Sequence, residues 1–210
     1  MVRYRGPKKK IVNKFGNLAG LTQKTKREQQ NQKENDLGEQ KKDKASAYKI
    51  RLNEKQKLRY YYGVNESQLI RYVKEAKRRK GLTGFVLMQL LEMRLDNIIF
   101  RLNLAPTIPA ARQLVNHGHV YINKKQVNIP SFQCEPGDSI SFNNRPEILD
   151  MLKSNLAQKQ NIKSTNNSIN DHLEFDSNTL LGQVNSLIEE HNLIFTINDM
   201  LVIEYYSRLI

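Results

Sequence analysis

The stretch that decides the fold is residues 92–123, EMRLDNIIFRLNLAPTIPAARQLVNHGHVYIN. Two sets of apolar residues recur in it at helical spacing: Leu95, Ile98 and Leu102, then Ala111, Leu114 and Val115. After Gly118 the period changes from helical to alternating, because Val120 and Ile122 are separated by the polar ring of Tyr121. The change of period predicts a pair of helices followed by a small antiparallel sheet.

The first helix of this pair is predicted to be long, running from Phe85 to Leu102. Its apolar stripe is Leu87, Leu91, Leu95, Ile98 and Leu102. Arg94, Asn97 and Arg101 lie at positions i, i+3 and i+7, so we expect them to project together from the other face and to grip a phosphate backbone.

The second helix is predicted to be short, with Thr107 as its cap and Gly118 as its end. Pro109 fits its first turn, where an amide has no helical partner. Arg112, Gln113 and Asn116 are expected on its outer face.

Three strands are expected after the helix pair. The first two are marked by Val120 with Ile122 and by Val127 with Ile129, with Asn123–Lys125 as the turn between them. Pro136, Gly137 and Asp138 then make a turn before the third, Ser139–Phe142.

Two further helices are predicted upstream. Ser46 caps the first, which runs to about Tyr60 and ends at Gly63, with Tyr48 and Leu52 at apolar spacing. Asn65 and Gln68 have the spacing of a capping box for the second, which ends at Gly81. Its apolar positions are Leu69, Tyr72, Val73 and Ala76, and its opposite face is Arg71, Lys74, Lys77 and Arg78. A face of one charge sign favours phosphate over a merely solvated surface.

The charge is distributed unevenly along the chain. The net charge is +13, and residues 1–60 carry 18 Lys and Arg against 6 Asp and Glu. Such an excess indicates a polyanionic partner, and nucleic acid is the first candidate. Residues 3–44 contain few large apolar groups, so we expect this arm to be flexible alone and to order on its partner.

The last third of the chain gives weaker signals. Residues 154–178 are rich in Asn, Ser, Gln and Lys and have little periodicity, which predicts a long loop or a variable insertion. In residues 198–208, Leu201, Ile203 and Tyr205 alternate with Val202, Glu204 and Tyr206. We expect that segment to be docked on the rest of the protein.

Several classes of site are disfavoured by the sequence. Cys134 is the only cysteine, which argues against a disulfide and against a cysteine-based zinc site. The four histidines lack a HExxH pattern, and no GxxxxGK[ST] motif is present. No apolar run approaches the ~20 residues that span a bilayer. We therefore expect no metal, cofactor, small-molecule substrate or membrane partner.

The motifs EMRLDNIIFRL from Glu92 and ARQLVNHGHVYIN from Ala111 closely resemble the RNA-binding domain of the family of the fourth protein of the small ribosomal subunit. The resemblance extends to RLNEKQKLRYYYG from Arg51, to GLTG from Gly81, and to NIPS and PGD downstream. It covers most of the chain. RYRGP at the start and VIEYYSR near the end resemble the plastid branch.

The resemblance implies an α+β fold, in which a mainly helical domain receives the inserted module of two helices and a small antiparallel sheet. It divides the chain into a basic arm (1–44), a helical domain (45–91, to which 190–210 return), the RNA-binding domain (92–152) and a variable loop or insertion (153–189). Implied partners are small-subunit ribosomal RNA and neighbouring small-subunit proteins. Implied roles are nucleating assembly of the subunit body and supporting translational accuracy, here in ribosomes of the chloroplast stroma.

This chain departs from the family pattern in two places. The arm is looser and richer in Gln and Asn, and residues 154–178 match no pattern of the family. Some relatives carry a cysteine cluster for zinc in the arm, and this sequence has none.

The predicted RNA contacts are basic and amide side chains on the exposed faces and in the arm, since Arg pairs with phosphate oxygens and stacks on unpaired bases. They are Arg3, Arg5, Lys8, Lys9, Lys10, Arg51, Lys55, Arg59, Arg71, Lys74, Arg78, Arg94, Asn97, Arg101, Arg112, Gln113, His119, Asn123 and Lys124. His117 is expected to be structural. Tyr60, Tyr61 and Tyr62 either stack on bases or pack beneath the helices, the latter for at least one of them.

The sequence leaves two other functions open. One is an RNA-modifying enzyme, since the same module is appended to pseudouridine synthases and to some aminoacyl-tRNA synthetases, but these need a separate catalytic domain. The stretch before the module is accounted for by basic helices without an acid/base pair or nucleophile motif. The other alternative is a regulatory RNA binder that never joins a ribosome.

Overall fold

The computed structural model describes residues 6–16, 18–22, 46–161, 172–177, 179–189 and 197–207. Within these ranges the chain forms eight helices and five strands. The helices are α1 Lys8–Phe15, α2 Ala47–Tyr62, α3 Glu66–Arg78, α4 Thr83–Glu92, α5 Leu95–Arg101, α6 Ile108–Asn116, α7 Pro146–Asn161 and α8 Asp199–Ser207. The strands are β1 Val120–Ile122, β2 Lys125–Gln126, β3 Ser139–Phe142, β4 Leu173–Asp176 and β5 Leu181–Val184. The α+β fold class is confirmed.

The helix ends follow the local signals in the sequence. The Ser46 side chain accepts from the Lys49 amide, and Gly63 ends α2 in the left-handed conformation. Asn65 and Gln68 form the complete capping box of α3, and Thr107 accepts from the Ala110 amide at the start of α6. Helix α3 stops before Gly81, at Arg78. Tyr48, expected to face inward, is 58% exposed.

The described part of the arm packs against the helical core, although its composition predicted too few large apolar groups for a core of its own. Helix α1 buries Ile11 and Val12, and Leu18 is fully buried in the helical core. The backbone of Gly20 lies against α2 and α6, since its carbonyl accepts from the Ile108 amide at 2.9 Å. A Cβ at Gly20 would lie 2.6 Å from the Tyr61 carbonyl oxygen, so this contact requires glycine. Residues 1–5, 17 and 23–45 lie outside the described residues.

The single helix predicted from Phe85 to Leu102 is two helices. Helix α4 ends at Glu92 and α5 begins at Leu95. Between them the backbone bonds to a distant segment: the Leu95 amide donates to the Phe132 carbonyl at 2.9 Å, and the Cys134 amide to the Met93 carbonyl at 2.9 Å. These long-range bonds replace helical ones, so periodicity could not reveal the break.

The helix pair α5–α6 packs on an antiparallel sheet, as predicted, and the sheet is larger than expected. Its order is β2-β1-β3-β5-β4. Ile122 pairs with Ile140 between β1 and β3, and Ile140 with Gly182 between β3 and β5. Strand β2 begins at Lys125, because Asn123 and Lys124 both have positive φ, 50° and 66°. That two-residue turn has the φ signs of type I′, which suits the strand twist.

The loop or insertion predicted over residues 154–178 is partly regular structure. Helix α7 includes residues 154–161, and Leu152 and Leu156 contact the core of the sheet module. Strand β4 covers Leu173–Asp176 and joins the sheet through β5. Residues 162–171 and 178 lie outside the described residues.

The C-terminal segment is docked, but as a helix. Helix α8 lies against α2, α3 and α4, and Val202 and Tyr206 are fully buried in the helical core. The alternation of residues in this segment therefore marks no strand, since a helix buried on several sides carries apolar residues all round. Two apolar cores result, one among α1–α4 and α8, and one between α5–α7 and the sheet.

Candidate nucleic-acid interface

The predicted contacts Arg101 and Asn97 lie inside the protein. Arg101 is 5% exposed and donates from Nε to Oε2 of Glu92 at 2.9 Å. Asn97 and the Tyr62 hydroxyl donate to the same carboxylate. Burial alone would raise the pKa of Glu92, but Arg101 and these donors hold it below its ordinary value. Glu92 is therefore a buried anion enclosed by donors from α2 and α5.

Arg94 and Arg112 share a second buried carboxylate, that of Asp96. Arg94 is 2% exposed; its Nε donates to Asp96 Oδ1 at 3.0 Å, and its Nη1 to the Tyr72 hydroxyl at 2.6 Å. Arg112 donates from Nε to Asp96 Oδ2 at 2.6 Å. Its other two nitrogens donate to the Gly63 and Tyr62 carbonyls at 2.6 and 2.7 Å. All three guanidinium nitrogens of Arg112 are thus occupied.

The expectation that Arg94, Asn97, Arg101 and Arg112 project outward as RNA contacts is wrong in its geometry. Every residue of α5 is buried, so that helix has no outer face. Helical spacing could not tell a solvent-exposed position from one that another part of the protein covers. These four side chains join the two cores of the protein.

Three further predicted contacts on α2 are also engaged internally. Lys55 is 4% exposed and donates from Nζ to Glu66 at 3.0 Å. Arg51 pairs with Glu204 of α8. Arg59 lies 3.7 Å from Glu66 and over the Tyr60 ring. Lys55 and Arg51 fasten α3 and α8 to α2, and Arg59 keeps partial exposure.

The exposed face of α3 is the main cationic surface of the helical domain. Arg71, Lys74 and Arg78 are all exposed, and Leu69, Val73 and Ala76 are buried on the opposite side. Lys77, Arg79 and Lys80, which the predicted contacts omitted, extend the surface. Glu75 pairs with Arg79 at 3.2 Å, so one charge of this face is offset locally. We call these six cations the α3 basic face.

Further exposed polar side chains lie on α6 and in the turn after β1. Gln113 is exposed on α6, and Asn123 and Lys124 are exposed in the β1–β2 turn. Asn123 also holds that turn, donating to Asp138 at 2.7 Å. Burial, with His117 and Arg145 nearby, lowers the pKa of His119. His119 is therefore a neutral hydrogen-bonding group at neutral pH.

Arg145 was missed by the sequence interpretation. It is exposed, precedes α7 directly, and lies close enough to His119 to influence its titration. The only feature of the sequence that could have indicated Arg145 is that it is a basic residue directly before Pro146, shortly after the predicted strand Ser139–Phe142. Lys125, beside Lys124, is likewise exposed and was omitted.

The remaining predicted contacts belong to the arm and to two aromatic groups. Lys8, Lys9 and Lys10 are exposed on α1, and Arg3 and Arg5 lie outside the described residues. Tyr61 and Tyr62 are buried, as expected for at least one of the three tyrosines, and Tyr60 is half-buried. His117, expected to be structural, is exposed, with its ring 5.9 Å from that of His119.

Three other findings concern the described part of the chain. No helix there has the length and apolar character required to cross a bilayer. No group of three or more His, Cys, Asp or Glu side chains in those ranges is arranged to hold a metal ion. Burial raises the pKa of Cys134 to about 12, which makes its thiol unreactive.

A helical domain with a cationic outer face, joined to a helix pair on an antiparallel sheet, defines an RNA-binding protein of the α+β class. The family comparisons identify its two parts. A model described as S4 domain matches residues 93–140, and one described as Ribosomal protein S4/S9 N-terminal domain matches residues 3–92.

Relatives match along the whole chain. The small ribosomal subunit protein uS4 of Microcystis aeruginosa is 51% identical over 210 residues, covering 99% of each chain. The proteins named uS4c of Rhodomonas salina and of Chaetosphaeridium globosum are 51% identical over 210 residues and 48% identical over 208, again covering 99% of each chain. This chain belongs to the uS4 family of small ribosomal subunit proteins.

Proposed function

We propose that this protein is a structural constituent of the small ribosomal subunit that holds ribosomal RNA through its exposed cationic surfaces. The observation that carries the proposal is the α3 basic face, where four cations line the solvent side of a helix whose other side is core, and Arg79 and Lys80 follow directly after it. Such a surface attracts phosphate and releases its counterions on binding. The full-length likeness to proteins named for the small subunit supports the same function.

We propose a set of contacts that differs from the one predicted from the sequence. The described candidates that keep exposure are Lys8, Lys9, Lys10, Arg71, Lys74, Arg78, Gln113, Asn123 and Lys124, with Arg59 and His119 partly exposed. We add Lys77, Arg79, Lys80, Lys125 and Arg145. Arg3 and Arg5 remain proposed contacts.

The finer roles are also proposals. We propose that the protein binds ribosomal RNA early enough to nucleate the subunit body, meets neighbouring small-subunit proteins and contributes to translational accuracy. We propose the plastid stroma as its location, since relatives named uS4c match over 99% of the chain. Cyanobacterial relatives are equally similar to this chain. The proposed role in the small ribosomal subunit therefore does not depend on a plastid location.

An RNA-modifying enzyme is the weaker alternative, because the S4 domain and the helical domain between them account for residues 3–140.

A regulatory RNA binder differs from a ribosomal constituent in where it is found in the cell. Sedimentation of cell extract with detection of this chain separates these possibilities. We expect it to co-sediment with small subunits at stoichiometric level and to resist washing at moderate salt. Recovery only in the soluble fraction would contradict the proposal.

A further inference from the structure

A groove between α1 and α2 has features of a site for a single nucleotide. Its volume is about 370 Å³, which lies in the ~300–1,000 Å³ range of small-ligand pockets. Lys10 and Lys14 contribute from α1, and Arg59 from α2. Phe15 and Tyr60 form its aromatic part. Cations next to aromatic rings are the combination by which proteins hold unpaired nucleotides.

The two rings lie next to each other in the lining of the groove. The Phe15 and Tyr60 centroids are 5.8 Å apart with an interplanar angle of 39°. Both side chains are half-buried, so packing against the core holds them while part of each remains accessible. The Arg59 guanidinium lies 5.0 Å from the Tyr60 centroid and extends this surface. A planar base could add to the stack at low entropic cost, since the rings are already fixed.

The charges are arranged for a phosphate beside the base. Lys10 and Lys14 are four residues apart on α1, and therefore on one face of the helix, and both are exposed. Neither forms an ion pair within the described part of the chain, and the Lys14 Nζ lies 5.0 Å from the Phe15 ring centroid, beside the aromatic part of the groove. Arg59 lies 3.7 Å from Glu66, so the two lysines supply most of the available positive charge.

The groove also contains an unused hydrogen-bond acceptor. Gln56 lines it, and the Gln56 side-chain oxygen is buried without a hydrogen-bond partner among the described residues. A buried acceptor left unpaired destabilises the folded state, and a bound amino group would relieve that cost. Adenine, cytosine and guanine carry such a group.

We propose that this groove binds one unpaired nucleotide of the RNA, with the base against Phe15 and Tyr60 and the phosphate between Lys10 and Lys14. The inference rests on the proposed RNA-binding function and specifies the form of RNA taken at this place. The exposed α3 basic face is a separate surface, whose residues do not line this groove.

The test uses the full chain and two probes of equal length and charge, a short oligoadenylate and an abasic ribose-phosphate oligomer. Lys10→Gln with Lys14→Gln is compared with Lys8→Gln plus Lys9→Gln, which removes the same charge from the same helix outside the groove. We expect the first pair to weaken oligoadenylate binding several-fold more than the second. Phe15→Leu should weaken oligoadenylate binding about tenfold and leave binding of the abasic probe unchanged.

Equal effects of the two lysine pairs, or equal losses for both probes in Phe15→Leu, would overturn the proposal. If perfectly paired RNA depended on Phe15 as strongly as oligoadenylate, the groove would take helical backbone instead, and the proposal would also fail. Because the lysines are exposed, their comparison remains decisive even if Phe15→Leu lowers the melting temperature. Wild-type binding to a small-subunit RNA fragment is measured in parallel. If the wild-type protein did not bind that fragment, the proposed function itself would be contradicted.

Discussion

Arg112 on α6 and Asp96 on α5 form an ion pair of 2.6 Å, and the same guanidinium donates to the Tyr62 and Gly63 carbonyls at the end of α2. One side chain therefore joins the helix pair of the S4 domain to the helical domain. The carbonyls it satisfies are those that the last turn of a helix leaves unpaired. Arg112 thus holds the helix pair against the end of α2.

Arg112→Lys should lower the stability of the protein despite keeping the charge. Lysine lacks the planar fork needed to reach a carboxylate and two carbonyls at once. We expect a loss of about 1.5–3 kcal/mol, the range for hydrogen bonds to charged groups, measured by thermal or urea unfolding. Gln113→Ala, at the exposed neighbouring position of α6, serves as the control and should leave stability unchanged. Equal stability of Arg112→Lys and wild type would contradict the joining role.

Arg101→Ala should be more damaging, because it leaves the Glu92 carboxylate buried and without its cation. Removing one member of a buried ion pair costs about 3–5 kcal/mol. We therefore expect a large fall in the melting temperature, with RNA affinity lost only as the protein unfolds. Changing Glu92 as well, to Gln in the Arg101→Ala background, should recover part of the loss. A variant with weakened RNA binding and wild-type stability would restore Arg101 as an RNA contact.

These arginines show where sequence reasoning reached its limit. Caps such as Ser46, Asn65 and Thr107 were predictable because donor and acceptor lie three residues apart. The partners of Arg112 lie 16, 49 and 50 residues away, and no local pattern encodes them. A signal for burial did exist. Glu92 and Asp96 alternate with Arg94 and Arg101 in an otherwise apolar stretch, and buried charges occur in pairs.

The exposed cations were predicted better when their helix had one clearly apolar side. On α3 the buried Leu69, Val73 and Ala76 defined the opposite face as solvent-exposed. On α5 both sides are covered, one by each core. The sheet was underestimated for a related reason: β4 and β5 follow a polar stretch, and they are strands because β3 offers an edge for pairing.

The α3 basic face should contribute to RNA affinity without contributing to stability. We expect Arg71→Gln with Lys74→Gln to weaken binding to a small-subunit RNA fragment and to reduce the slope of log affinity against log salt by about one per lost phosphate contact. Melting temperature should not change. Lys49→Gln with Lys153→Gln, two exposed cations outside the proposed contacts, provides the charge-matched control. Equal losses of RNA affinity in both pairs of variants would show that overall charge, and not the α3 basic face, determines the affinity.

Glu66 should make the protein less stable in acid. Burial opposes its ionisation, but hydrogen bonds from Tyr206 and Lys55 lower its pKa overall. The folded state therefore binds fewer protons than the unfolded state near the carboxylate titration. This stabilisation is complete above the unfolded pKa of about 4.3 and is lost as pH falls through the lower folded pKa. Unfolding midpoints of Glu66→Gln should depend less on pH in this window, and an unchanged profile would contradict the assignment.

The last prediction concerns the arm, whose described part packs in the core. Leu18 is 0% exposed and belongs to the helical core with Leu58 and Leu91. If that packing exists before RNA binds, Leu18→Ala should cost about 2–5 kcal/mol, as Leu91→Ala should, because each leaves a cavity. Ala19, exposed beside Leu18, supplies a control as Ala19→Ser. Urea unfolding of the RNA-free protein is the measurement. Stability of Leu18→Ala equal to wild type, with Leu91→Ala destabilised, would show that this segment packs only in the presence of RNA.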